Sequence, residues 1–165
     1  MSAPAAAAGA PAAPAATAPA AMSPLEIARA CAAAMWAEDR ASQGLGMEIR
    51  DVAPGRAVIA MTVGPAMVNG HGICHGGYIF TLADSAFAFA CNGYDQRTVA
   101  QSCAITYVAP GRLGDRLVAS AVERQRSGRS GIYDVTVARE DGTVIAEFRG
   151  HSRTVKGTLL APPAE

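Results

Sequence analysis

Residues 76–91 read as one helix that is apolar on nearly every side, and that element dictates most of what the chain can fold into. Ile79, Leu82, Ala83, Ala86, Phe87 and Ala90 recur at spacings of three and four, and small residues fill most of the gaps. A helix with no polar face must be buried nearly all round, so the rest of the chain has to wrap it. After Asn92-Gly93 come four runs of strand character, 98–108, 116–124, 132–139 and 143–152, with turns at Pro110-Gly111, Ser127-Gly128 and Asp141-Gly142. Ahead of the helix, residues 47–63 predict a hairpin about Ala53-Pro54-Gly55, with Ala57, Ile59, Met61 and Val63 alternating. Ser23-Pro24 opens a further helix over 24–42, with Leu25, Ala28, Ala32, Met35 and Trp36 on one face and Gly44 closing it. Helix, two strands, buried helix and four strands imply an α+β fold, an antiparallel β-sheet wrapped around a long central helix.

The polar segment leading into that helix, residues 69–77, is too rich in glycine for a mere connection between core elements. Gly76 and Gly77 leave the first helical N–H groups bare, at the positive end of the helix dipole, where a carbonyl oxygen gaining negative charge can bind. Glycines alone fit a turn that only permits tight packing better than they fit a binding site. Asp84 adds a second observation, because it is the one charged residue between His75 and Asp95 and has no Arg or Lys within a helical turn. A buried carboxylate without partners costs several kcal/mol or more, which points to chemistry: activating water, or attacking an acyl carbon. Capping a distant backbone group, or pairing with an arginine brought in by the fold, would be the structural alternatives.

Gly76 and Asp84 are eight residues apart, which at about 1.5 Å per residue is roughly 12 Å along the helix. A nucleophile and its oxyanion donor must both stand about 3 Å from one reacting carbonyl, so the two cannot serve each other within one chain. If both are catalytic, a two-fold dimer has to bring the helix start of one subunit to the Asp84 of its partner.

Other residues admit competing readings. His71, Cys74, His75 and Cys91 lack the paired spacing of a zinc site, and neither a metal nor a cofactor is expected. Cys74 and His75 are adjacent at a helix entry and point apart, which disfavours a nucleophilic dyad. His75 suits either a structural role or that of a polar neighbour orienting the substrate. Ser85 either holds a water beside Asp84 or bonds back to the carbonyl of position 81.

Composition closes off several classes of function. Fourteen basic against 14 acidic residues give no global attraction to nucleic acid. No apolar run is long enough to span a membrane. The four cysteines form no C-x-x-C pair, which fits a reducing, cytoplasmic compartment. Residues 1–22, nearly all Ala, Pro, Gly and Thr from position 3 on, are expected to be a disordered tail. The folded domain is placed at 23–157, with 158–165 a C-terminal tail.

The stretch from Asn69 to Asn92, NGHGICHGGYIFTLADSAFAFACN, resembles the signature of the PaaI-type hotdog thioesterases, and the likeness continues through Tyr107-Val-Ala-Pro-Gly, Gly131-Ile-Tyr-Asp-Val and Phe148-Arg-Gly. The resemblance implies a hotdog fold, sites between subunits, a homodimer at minimum and commonly a homotetramer. It also implies hydrolysis of aryl- or hydroxyphenylacetyl-CoA thioesters, as in phenylacetate catabolism. Asp84 matches the catalytic carboxylate, Gly76 the backbone donor, and Asn69 and His75 the polar residues around the reacting centre. CoA is anionic, so a chain of zero net charge needs a local basic cluster, and Arg124, Arg126 and Arg129 around the Ser127-Gly128 turn are the expected residues. The reading from a different class is a non-catalytic acyl-CoA-binding hotdog module.

Overall fold

The computed structural model describes residues 22–160. The Ala/Pro-rich tail, Met22 apart, and residues 161–165 lie outside them. Helix α1 (Pro24–Glu38) starts where Ser23-Pro24 predicts, with Ser23 and Glu26 forming a reciprocal capping box. The single helix expected over 24–42 is instead two. The Asp39 side chain accepts the Ser42 N–H at 2.9 Å, which caps a fresh helix, α2 (Arg40–Gly44).

Strands β1 (Glu48–Ala53) and β2 (Arg56–Thr62) make the predicted hairpin, followed by a 3-10 turn at Pro65–Met67 and helix α3 (Gly76–Cys91). Strands β3 (Thr98–Tyr107), β4 (Arg116–Ser127), β5 (Ser130–Arg139) and β6 (Val144–Thr154) complete the fold. The β4–β5 hairpin is tighter than expected. Only Gly128 and Arg129 lie between the strands, and Gly128 takes φ +56°, a conformation that needs little adjustment only for glycine.

All six strands pair antiparallel in the order β1-β2-β4-β5-β6-β3, which leaves β3 on the outer edge. Bulges at Ile49/Asp51, Ala100/Ser102 and Glu123/Gln125 bend the strands, and the curved sheet closes around α3. Helix α3 packs chiefly on β2, β4 and β5. Alanines on both sides, Ala57, Ala119 and Ala121 from the sheet and Ala83, Ala86 and Ala90 from the helix, are wholly buried and permit the close approach.

The far side of the core is aromatic, with Phe87 ring centroids 5.4 Å from Tyr133 and 5.9 Å from Phe148. Gly150 makes room for it, since a Cβ there would stand 2.9 Å from the Phe87 ring. Gly150→Ala is therefore expected to lower unfolding free energy by about 1–3 kcal/mol with an unchanged denaturant slope.

One expectation needs correction. Helix α3 is not sealed all round: Gly77 is exposed and Thr81, Asp84 and Ala88 are half-buried, a stripe at spacings of four, three and four. Past β6, Asp95 Oδ1 accepts the N–H groups of Leu159 and Leu160, both at 2.9 Å. No helix among the described residues is long and apolar enough to cross a membrane.

Candidate active site

The loop before α3 is knitted by Asn69. Its Oδ1 accepts the N–H of His71 at 2.9 Å and of Ile73 at 3.4 Å, while its backbone N–H donates to the Ile73 carbonyl. The Asn69 Nδ2 amide has no partner among the described residues. The loop is then pinned to the body of the domain by Cys74 N–H on Gly111 O and His75 N–H on Met67 O, both 2.8 Å.

His75 is the N-cap of α3, and its Nδ1 accepts the Gly77 N–H at 3.0 Å. That bond places the ring proton on Nε2, and this Nε2–H has no acceptor among the described residues. Sequence reasoning left both Gly76 and Gly77 bare, whereas the Gly77 N–H is occupied by the cap. The Tyr78 N–H donates to His75 O at 3.0 Å. The Gly76 N–H is what remains open at the helix start among the described residues. It borders a mostly apolar cleft of about 300 Å³ lined by Asn69, Ile73, Ile79, Tyr107 and Pro110.

Asp84 stands on the half-open stripe of α3 and faces the edge strand. The Cys103 thiol of β3 approaches its Oδ1 at 3.8 Å, and among the described residues no Arg or Lys pairs with it. Burial raises the Asp84 pKa above its ordinary value, and the Cys103 hydrogen bond offsets part of that rise. The thiol is pushed up to about 11, first by its own burial and then by the Asp84 charge, so it stays protonated and acts as a donor.

Ser85 does not bond back to the carbonyl of position 81. Its Oγ lies 3.0 Å from Ser42 Oγ, tying α3 to α2.

The three arginines do not form one basic cluster. Arg124 is the bulged residue of β4 and ion-pairs with Asp134 at 2.8 Å, alongside Arg149. The bulge shifts the strand's alternation, so that Arg126 lies over the Tyr94 ring at 3.5 Å from its centroid. Arg129 donates to the Thr154 carbonyl at 2.9 Å. Each guanidinium is engaged by a different partner. Among the described residues no three of His, Cys, Asp and Glu lie close enough to hold a metal ion.

Comparison with known proteins bears on this geometry. The model of the thioesterase superfamily matches residues 71–146, which take in most of the loop, α3, strands β3 to β5 and the start of β6. The chain is 41% identical to the acyl-coenzyme A thioesterase PaaI of Escherichia coli (strain K12) over 128 residues, 78% of this chain and 91% of that protein. The chain belongs to the thioesterase superfamily. This thioesterase is also 44% identical to a putative esterase of Deinococcus radiodurans over 108 residues, 64% of this chain and 73% of that protein.

Its fold matches the E. coli PaaI protein from the phenylacetic acid degradation operon with a TM-score of 0.81 at 40% identity, covering 82% of this chain and 99% of that one. A mutant of the phenylacetic acid degradation protein PaaI from Thermus thermophilus matches with a TM-score of 0.68 at 39% identity, over 71% of this chain and all of that one. The fold is the hotdog fold, and the enzyme is a thioester hydrolase.

Sequence reasoning missed two residues that touch the candidate site, Cys103 and Tyr107. The signal for them lay in the alternation of β3, since residues 103, 105 and 107 share the face turned to α3, as the contact of Cys103 with Asp84 and that of Tyr107 with Gly76 make plain.

Proposed function

We propose that this thioesterase hydrolyses aryl- or hydroxyphenylacetyl-CoA to the free acid and CoA in sites shared between two subunits. What carries the reading is a carboxylate on the open stripe of α3 and an N–H at the start of the same helix, too distant to serve it, neither of which has a partner cation or acceptor among the described residues. The roughly 12 Å between them along the helix requires a second copy. The exposed edge of β3, with Val99 and Tyr107 about half exposed beside the stripe, supports a dimer in which Asp84 of one subunit approaches Gly76 of its partner. Pairing of two such dimers gives the homotetramer.

In this scheme the thioester carbonyl oxygen accepts the Gly76 N–H, while the Asn69 amide and the His75 Nε2–H stand near the reacting centre. Asp84 takes a proton from water as the water oxygen bonds to the acyl carbon. The C–S bond then breaks and the CoA sulfur leaves with that proton. In the nucleophilic variant Asp84 itself bonds to the acyl carbon as the C–S bond breaks and CoA leaves as thiolate. Water then cleaves the resulting anhydride to the free acid and the Asp84 carboxylate, and the water's second proton goes to the thiolate. The substrate's aryl class comes from the kinship with the PaaI protein of a phenylacetic acid degradation operon.

The reading is tested by following thiol release from phenylacetyl-CoA and hydroxyphenylacetyl-CoA across pH. The acid limb of kcat/KM should fall above the ordinary carboxylate range, because Asp84 must be ionised to act and burial holds its proton to higher pH. Failure to release thiol from either ester, with aliphatic acyl-CoAs turned over instead, would remove the aryl assignment.

A further inference from the structure

We propose that Tyr107 is a positioning residue for the reaction, holding the Gly76–Gly77 peptide so that the open Gly76 N–H is aimed at the substrate carbonyl. The inference rests on the reading of Gly76 as the carbonyl donor. The Tyr107 hydroxyl donates to the Gly76 carbonyl at 2.8 Å. From the other end of the same peptide, the Gly77 N–H donates to His75 Nδ1 at 3.0 Å. One peptide plane is thus gripped at both its polar atoms by two side chains, one from the helix entry and one from the end of β3.

A glycine needs such a grip more than any other residue, since no Cβ restricts its backbone. The grip also accounts for the glycine. A Cβ on Gly76 would stand 2.9 Å from Tyr107 Cζ and 3.0 Å from its hydroxyl oxygen, so the ring occupies the space that any other side chain would fill. The substrate therefore does not reach the helix through the gap left by the missing side chain, because Tyr107 already fills it.

The preceding peptide is fixed as well. The His75 carbonyl accepts the Tyr78 N–H at 3.0 Å and faces the Cys74 thiol at 3.7 Å. Donors at that carbonyl polarise the peptide and strengthen its own N–H, which is the Gly76 N–H. Burial raises the Tyr107 pKa, with a smaller contribution from Cys74, so the hydroxyl remains a donor at neutral and moderately alkaline pH.

Tyr107→Phe keeps the ring and removes only the hydroxyl. It should lower kcat about tenfold with KM and melting temperature near wild type, the signature of a misdirected group that acts in the transition state. Gly76→Ala alone should lower the melting temperature, whereas Gly76→Ala added to Tyr107→Ala should cost little beyond Tyr107→Ala, because the obstructing ring is gone. Wild-type kcat in Tyr107→Phe overturns the proposal. So does a loss of kcat that tracks a loss of melting temperature. Asp84→Asn measured alongside separates the two levels: if it is inactive while Tyr107→Phe is fully active, the positioning role fails and the hydrolase reading stands. If Asp84→Asn is active, the site assignment itself fails.

Discussion

Asp84→Asn should leave a folded protein whose kcat on its best acyl-CoA is lower by about 10²–10⁴-fold, the range general-base catalysis contributes. The same substitution should raise the melting temperature at neutral pH. Both effects follow from one observation, a half-buried carboxylate facing a thiol with no cation beside it among the described residues. Burial raises its pKa in the folded state above the unfolded value. Such a group contributes stability that is fully present below the unfolded pKa and is lost as pH rises through the folded one. At neutral pH, then, the ionised side chain opposes folding, and a neutral isostere relieves it. The advantage of the variant should shrink as pH falls through the raised pKa, where the wild-type side chain is itself neutral. Thermal melts of both proteins from acid to neutral pH check the sign. Wild-type turnover by the variant would refute the catalytic role, and a lower melting temperature at neutral pH would show a hidden cationic partner.

The fold was legible because one element left few alternatives. An apolar helix over 76–91 needs a wrap, and the alternation of the later strands supplies it, so helix order, strand count and the antiparallel sheet could all be read from periodicity. Boundaries were less legible where a side chain competes with the backbone. Asp39 splits the first helix by capping a second one, and Gly128-Arg129 closes a hairpin more tightly than the strand pattern alone implied.

The candidate site was legible in its polar outliers, the lone Asp84 and the glycines before it. What was hidden depends on sequence-distant contacts. The placing of Ser85 against Ser42, 43 residues away, and of Tyr107 against Gly76, 31 residues away, follows from how α2 and β3 dock. Arginine dispersal was hidden for a related reason: a bulge at Glu123/Gln125 breaks the alternation that would have put Arg124 and Arg126 on one face. The glycine motif shows the limit most clearly. Its two N–H groups are equivalent in sequence, and only the fold of the His75 ring back onto Gly77 distinguishes the occupied donor from the open one.

Deleting that open donor gives the second large effect. Proline lacks an N–H and is well tolerated at the first position of a helix. His75 already has ψ 131°, the conformation a residue before proline prefers. Gly76→Pro combined with Tyr107→Ala, which clears the ring from the new side chain, should therefore fold, and should be slower than Tyr107→Ala alone by about 10²–10³-fold, the usual cost of one oxyanion donor. Co-expressing this chain with Asp84→Asn under two affinity tags then tests where the site lies. Random pairing makes about half the dimers mixed, and each mixed dimer holds one site with an intact Asp84 from one subunit and an intact Gly76 from the other. Activity should recover from near zero to about a quarter of wild type, all of it in the doubly tagged fraction. A site built within one chain predicts no recovery, because every subunit would carry a broken half.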